Sequence, residues 1–336
     1  MIVFASVMGL MAAGGAVLLT SIEPEQGDET DEDDLVPDED TLIAEEARNG
    51  EGEGTDTTED PPDLIHQIIA GDAADNVLEG ASGEDQINGY GGDDTLTGGD
   101  GNDDLHGADG QDLLSGDAGT DTLHGQDGDD SLHGGDGDDS LFGHFGQDHL
   151  QGDDGADTIY GGQDADSLDG GRGDDALHGG YGEDTLAGST GQDSLFGGAG
   201  DDLVIGTDDP GDNSTDYLNG GDGGDTILAG AGDIVTGGAG ADEIYVSPGE
   251  DEGDETGIMD FDPLEDRLVL VVDSPEQTGA DITVASEPDQ NGLTRILLDG
   301  IPVATLNSAS VIDPADILLV DAQSLPELIA TGAAPL

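Results

Sequence analysis

A nine-residue phrase recurs fifteen times between Gly71 and Ile205 without losing phase, and a fixed period of that kind dictates architecture before any local propensity does. One copy reads Gly134-Gly135-Asp136-Gly137-Asp138-Asp139-Ser140-Leu141-Phe142. Position one is Gly in all fifteen copies and position four in thirteen, Ala74 and Asp164 being the exceptions. Position six is Asp in fourteen, with Asn76 opening the series, and position eight is aliphatic throughout, from Leu78 to Val204.

Positions seven to nine, such as Thr95-Leu96-Thr97, suit a very short strand whose alternation points the eighth side chain inward and its neighbours outward. The six residues before it must turn the chain, and Gly at positions one and four supplies backbone angles closed to other residues. Two phrases make one eighteen-residue coil, and successive coils stack as parallel strands around an aliphatic ladder. The expected fold is therefore all-β, a parallel β-roll solenoid with a row of turns along each edge. Such a solenoid buries one side chain per phrase, which suits a chain that is 33% hydrophobic and 3% aromatic, too little for one large globular core. The sixty glycines do not indicate collagen, because they recur at nine residues and not at three.

Charge narrows the partners. The net charge is −77, with no Lys and four Arg, so nucleic acid and anionic lipid, which need clustered basic groups, are disfavoured and cations are the natural counterpart. Cysteine is absent, which excludes disulfides and thiolate zinc sites.

The remaining segments differ in composition. Residues 2–22 carry no charge and are long enough to span a bilayer, which allows either an uncleaved anchor or a signal segment without the usual basic residues before it. Residues 23–62 are acidic and read as an extended, self-repelling linker, and 63–70 as a cap on the first repeat. The roll is expected over 71–245, interrupted at 206–210, with a short unit at Ala229–Thr236 that places Asp233 and Val235 in the key positions. Residues 246–322 read as a small β module covering the end of the roll, with strands at Arg267–Val272, Asp281–Val284, Thr294–Leu298, Pro302–Leu306 and Ile317–Val320, and 323–336 as a tail.

Stacking at the ordinary strand spacing of about 4.8 Å sets the position-six carboxylates in two columns. One carries Asp85, Asp103, Asp121, Asp139, Asp157, Asp175 and Asp193; the other carries Asp94, Asp112, Asp130, Asp148, Asp166, Asp184 and Asp202. Asp216, Asp225 and Asp242 continue the pattern past the interruption. Neighbours this close repel by roughly 1 kcal/mol at the dielectric of water and several at an effective dielectric near 20. Salt with a Debye length of about 8 Å does not screen them. A cation between successive carboxylates is required, and carboxylate with backbone carbonyl is a hard oxygen set that favours calcium over magnesium. An EF-hand does not fit: counting from Asp100, the twelfth position is Gln111 and not Glu, and the glycine density forbids flanking helices.

These phrases resemble the RTX, or haemolysin-type, calcium-binding repeats, which follow Gly-Gly-x-Gly-x-Asp-x-aliphatic-x, and the likeness covers about half the chain. The resemblance implies that each calcium sits between two turns on the same edge, held by position-six aspartates and turn carbonyls, with about 13 ions in the uninterrupted array. Ile258-Met-Asp-Phe-Asp-Pro-Leu-Glu-Asp-Arg-Leu-Val-Leu270 is similar to the start of the C-terminal region in such proteins, which often caps the roll and carries an uncleaved export signal.

No catalytic constellation is present: there is no His-Glu-x-x-His helix, no Gly-x-Ser-x-Gly elbow and no phosphate-cradling Gly-Lys-Ser/Thr. Position nine gives Asn88, His106, His124, Phe142, Tyr160, His178 and Phe196, each eighteen residues apart, a ladder that reads as outward strand residues stacking on one another. The same ladder offers His106 and His124 to a transition metal, or its aromatics to a sugar. Tyr90, His144, Phe145 and Tyr181 fall within turns and are expected to shield them. The chain is thus expected to be a non-enzymatic, extracytoplasmic calcium-binding protein, at the cell surface or released from it, that folds on binding Ca2+. An adhesion protein using the roll as a calcium-rigidified spacer is the alternative, and its protein or glycan partner is not named by the sequence.

Overall fold

The position-eight side chains from Ile87 to Val204 all turn into one continuous interior, each at most 1% exposed. The computed structural model describes residues 66–207, 214–249, 253–272, 280–286, 293–307 and 312–325. The expected anchor or signal segment, the acidic linker, the first residues of the cap and most of the tail lie outside these.

Successive phrases alternate between two sheets. Strands beginning at Ile68, Gln86, Asp104, Thr122, Ser140, Thr158, Ala176, Ser194, Tyr217 and Ile234 lie in one sheet; those beginning at Val77, Thr95, Leu113, Ser131, His149, Ser167, Thr185, Leu203, Thr226 and Glu243 lie in the other. Pairing within each is parallel and in register at the coil period, as in Thr95↔Leu113, Leu96↔Leu114 and Thr97↔Ser115. The parallel β-roll is the fold.

The strands are longer than the expected tripeptide. Ser140–Phe145, six residues, is representative: it runs through position nine into position three of the next phrase. The ladder skips position one, passing from Thr97↔Ser115 to Gly99↔Asp117. Coil-to-coil bonding then continues into the turn, where the Gly101 N–H donates to the Ala118 carbonyl at 2.7 Å. Sequence period alone sees the inward residue and misses this second, bent half of the strand. Position two takes left-handed angles even with a side chain, at Ala108 (φ 86°), Gln126 (φ 86°) and His144 (φ 82°). At position four the need for glycine is steric as well. Gly137 has φ 129°, and a methyl group there would overlap the Gly119 carbonyl of the coil below. Asp164 holds the same position in its own phrase with φ 72°.

Register survives the interruption. Ser194–Ala199 pairs with Tyr217–Asp222 and Leu203–Gly206 with Thr226–Ala229, while residues 208–213 lie outside the described residues. Beyond Val246 both sheets run on. Thr256–Ile258 and then Ile301–Leu306 add to one in parallel, followed by antiparallel Thr294–Leu298 and Ile282–Ser286. Arg267–Val272 and Leu318–Asp321 add in parallel to the other. Ile258, Leu268, Leu270, Ile296 and Leu306 bury into the same interior, so the C-terminal β cap continues the roll's core. Among the described residues, no helix is long and apolar enough to cross a membrane.

On the outer face of the first sheet, rings stack from His106 through His124, Phe142, Tyr160 and His178 to Phe196, with centroids 4.7 to 5.3 Å apart. The turn aromatics do not shield the turns as expected. Tyr90, Phe145 and Tyr181 are 58%, 51% and 69% exposed, because positions two and three end a strand and project outward.

Candidate metal centre

All seventeen aspartates singled out by period are buried, none more than 4% exposed, and they form two columns. Each column is knit coil to coil by one repeated bond. The Asp85 N–H donates to Asp103 Oδ1 at 2.7 Å, Asp103 to Asp121 at 2.7 Å, and Asp121 to Asp139 at 2.7 Å. On the other edge Asp94 donates to Asp112, Asp112 to Asp130 and Asp130 to Asp148, each at 2.8 Å. Across the interruption the columns step by 23 residues, Asp193 donating to Asp216 and Asp202 to Asp225, both at 2.9 Å. Asp225 then donates to Asp242 at 3.0 Å.

One carboxylate oxygen is thereby used and the other is stranded. Oδ2 of Asp94, Asp103, Asp112, Asp121, Asp130, Asp139, Asp148, Asp157, Asp166, Asp175 and Asp184 is buried without a hydrogen-bond partner, as is Oδ2 of Asp202, Asp225 and Asp242. A buried ionised oxygen left unpaired costs several kcal/mol, so a row of them requires a counter-charge. Each lies against the position-one glycine of its own phrase. A methyl group at Gly98 would overlap Asp103 Oδ2 and would sit 2.9 Å from the Gly116 carbonyl oxygen of the next coil. Glycine here keeps open a space lined by a carboxylate and a carbonyl oxygen, a donor set that suits calcium.

Electrostatics carry the same message. Burial, opposed by the backbone hydrogen bond and reinforced by neighbouring carboxylates, raises Asp130, Asp139 and Asp175 to about 7 and Asp166 to about 8. Asp121, Asp148, Asp157 and Asp184 rise to about 6 for the same first cause. Without a cation, these groups hold protons at a pH where exposed carboxyls have lost them.

The columns extend further than the seventeen. Asp216 donates to Asp233 Oδ1 at 3.0 Å and Asp242 to Asp266 Oδ1 at 3.2 Å. Asp260 accepts from the Gly237 and Gly238 N–H groups at 2.9 Å each. A sequence signal existed for two of these: Asp233 and Val235, like Asp266 and Leu268, keep the offset between positions six and eight. Asp260 gave none. Position five supplies a second, exposed row: Asp93, Asp129, Asp138 and Asp174 accept the N–H of Gln111, Gln147, Ala156 and Gln192 one coil on, at 2.9 to 3.1 Å. Asn76 opens one column by donating its N–H to Asp94 Oδ1 at 2.7 Å.

A family model described as the RTX calcium-binding nonapeptide repeat (4 copies) matches residues 67–96, 79–114, 115–150, 142–177, 178–209, 210–244 and 220–252. No curated protein matches the chain. Among solved structures, one described as a hyperactive, Ca2+-dependent, beta-helical antifreeze protein from an Antarctic bacterium aligns at 18% identity. The alignment covers 60% of this chain and 86% of that one with a TM-score of 0.27.

Proposed function

This chain belongs to the family of RTX calcium-binding nonapeptide repeat proteins, and on that footing we propose that it is a non-enzymatic, extracytoplasmic protein whose roll closes when calcium binds between stacked turns. The observation that carries the reading is the row of buried, unpartnered Asp Oδ2 atoms packed against position-one glycines, beside the glycine carbonyls of the next coil. Calcium bound there would supply the positive charge that these oxygens lack and would accept them as ligands. The chain's own residues do the rest: position-six aspartates hold the ion, position-one glycines leave it room, and the bonds from each Asp N–H to the next Asp carboxylate transmit closure from coil to coil.

Extracellular-type calcium sites work at about 10⁻⁴ to 10⁻³ M, far above cytosolic supply, which supports folding outside the cytoplasm. About 13 divalent ions return only about 26 of the 77 negative charges, leaving an acidic surface. Equilibrium dialysis with radiolabelled calcium is expected to find about 13 ions or more per chain, bound cooperatively with the rise in β signal. Asp148→Ala, in mid-column, is expected to remove one or two of them. An unchanged count in that variant, or saturation at only one or two ions in the intact protein, contradicts the reading.

The adhesion reading is favoured by one observation. The parallel coils from Ile68 to Ile258 give a rod of roughly 50 Å at 4.8 Å per step, long enough to hold the C-terminal cap away from an attachment point. Membrane fractionation with mass spectrometry of the mature N-terminus separates the two: retention of residues 2–22 in the membrane fraction supports a surface spacer, and their removal supports release.

A further inference from the structure

We infer that the outer face of the roll carries a second metal site of a different class, in which Asp104, His106, His124 and His144 bind one divalent transition-metal ion such as zinc. Among the described residues, Asp104, His106 and His124 are the one trio of metal-ligating side chains whose donor atoms lie within 4.8 Å of one another. The four sit on three adjacent strands of one sheet, Asp104–Asp109, Thr122–Asp127 and Ser140–Phe145.

Two close pairs build the site. His106 Nε2 lies 2.9 Å from Asp104 Oδ1, and His124 Nδ1 lies 3.0 Å from His144 Nε2. Around a tetrahedral zinc with bonds of about 2.0–2.1 Å, neighbouring donors stand about 3.3 Å apart, so both pairs are near coordination spacing. The His106 and His124 rings are stacked at 4.7 Å, and a modest rotation of each ring is what brings the pairs onto one ion. Gln126 Nε2 stands 3.2 Å from His106 Nδ1; with its amide turned over, Gln126 Oε1 accepts the Nδ1–H of a His106 that ligates through Nε2.

His144 is placed by backbone strain. It adopts φ 82° at position two, and a residue there lies beside the position-nine residue twenty earlier, as Gln126 lies beside His106 and Ser189 beside Asp169. That offset makes a pair only where both positions carry ligands. His178, in the same stacked ladder, faces Gly198 at that offset and has none. Asp104, His106 and His124 are half-buried and His144 is exposed, which leaves the site open to an exchanging ion, and its imidazoles select zinc, nickel or copper and not calcium.

The test is zinc chloride titrated into the calcium-saturated full-length protein by calorimetry, with circular dichroism confirming that each variant keeps its roll. One zinc per chain is expected, without release of calcium. Loss of an outer-shell partner of a ligand costs roughly 10–100-fold in affinity; His124→Gln and His144→Gln are expected to cost at least that. His178→Gln is expected to leave the affinity unchanged. Zinc that binds the His124→Gln and His144→Gln variants as well as the parent, that weakens equally in His178→Gln, or that binds only by displacing calcium overturns the assignment.

Discussion

In metal-free buffer, lowering the pH from about 8 to about 5 will increase the β content of this protein, the reverse of ordinary acid denaturation. The sign follows from the columns. Burial raises the folded-state pKa of Asp130, Asp139 and Asp175 to about 7 and of Asp166 to about 8, above the usual 3.8. A group raised in the folded state contributes stability that is fully present below its unfolded value and is lost as pH rises through the folded one. The metal-free roll therefore loses stability progressively from about pH 4, the unfolded value, and the loss is complete at about pH 6 to 8, the folded values. A tenfold difference in proton affinity between the folded and unfolded chain corresponds to about 1.4 kcal/mol. Eight such carboxylates in mid-roll, each discounted for solvent screening, together act on the scale of the roughly 5–15 kcal/mol that ordinarily holds a domain together. Calcium inverts the dependence, since its ligands must be deprotonated and its affinity rises with pH. Circular dichroism of the chelated protein across this range checks the prediction; a β signal that is flat, or that grows toward alkaline pH, contradicts it.

Gly137→Ala will strongly destabilise the roll, as will a methyl group at the other crowded position-four glycines such as Gly119 and Gly128. The added carbon overlaps the Gly119 carbonyl and must adopt φ near 129°. Left-handed strain and overpacking each cost about 1–3 kcal/mol, so about 3 kcal/mol or more is expected together. That is about a hundredfold in the folding equilibrium, and it will appear as a higher calcium concentration at the folding midpoint. Gln147→Ala, an exposed turn residue whose side chain makes no hydrogen bond in the structure, is expected to stay within about 0.5 kcal/mol of the parent. Equal midpoints for Gly137→Ala and the parent would mean that the turns are looser than their carbonyl contacts indicate.

Period made the roll readable because one constraint recurs in every phrase. An inward Leu at position eight and a carboxylate at position six permit only one stacking, and the structure realises it from Ile87 to Val204. What period did not reveal lies where a different rule operates. The second half of each strand depends on left-handed angles at position two, which Ala108, Gln126 and His144 adopt despite having side chains. The Asp266 continuation depends on a coil of 24 residues, outside the eighteen-residue step, whereas Asp233 was legible from its offset to Val235 although its coil is one residue short. The His124–His144 contact joins residues twenty apart, a diagonal across strands that no count along one column detects. The C-terminal cap was legible as strands, but its merger with the roll's interior rests on tertiary pairing that alternation alone does not specify.

The central claim is that divalent cations, by neutralising buried carboxylate columns, make the coil close. Small-angle scattering of the full-length protein at about pH 7.5 in low salt, with and without calcium, tests it most directly. Without metal the radius of gyration is expected to approach the roughly 65 Å of an unfolded chain of this length, and to fall sharply as calcium is added. A compact, ordered particle in metal-free buffer, unchanged by calcium, would contradict the account.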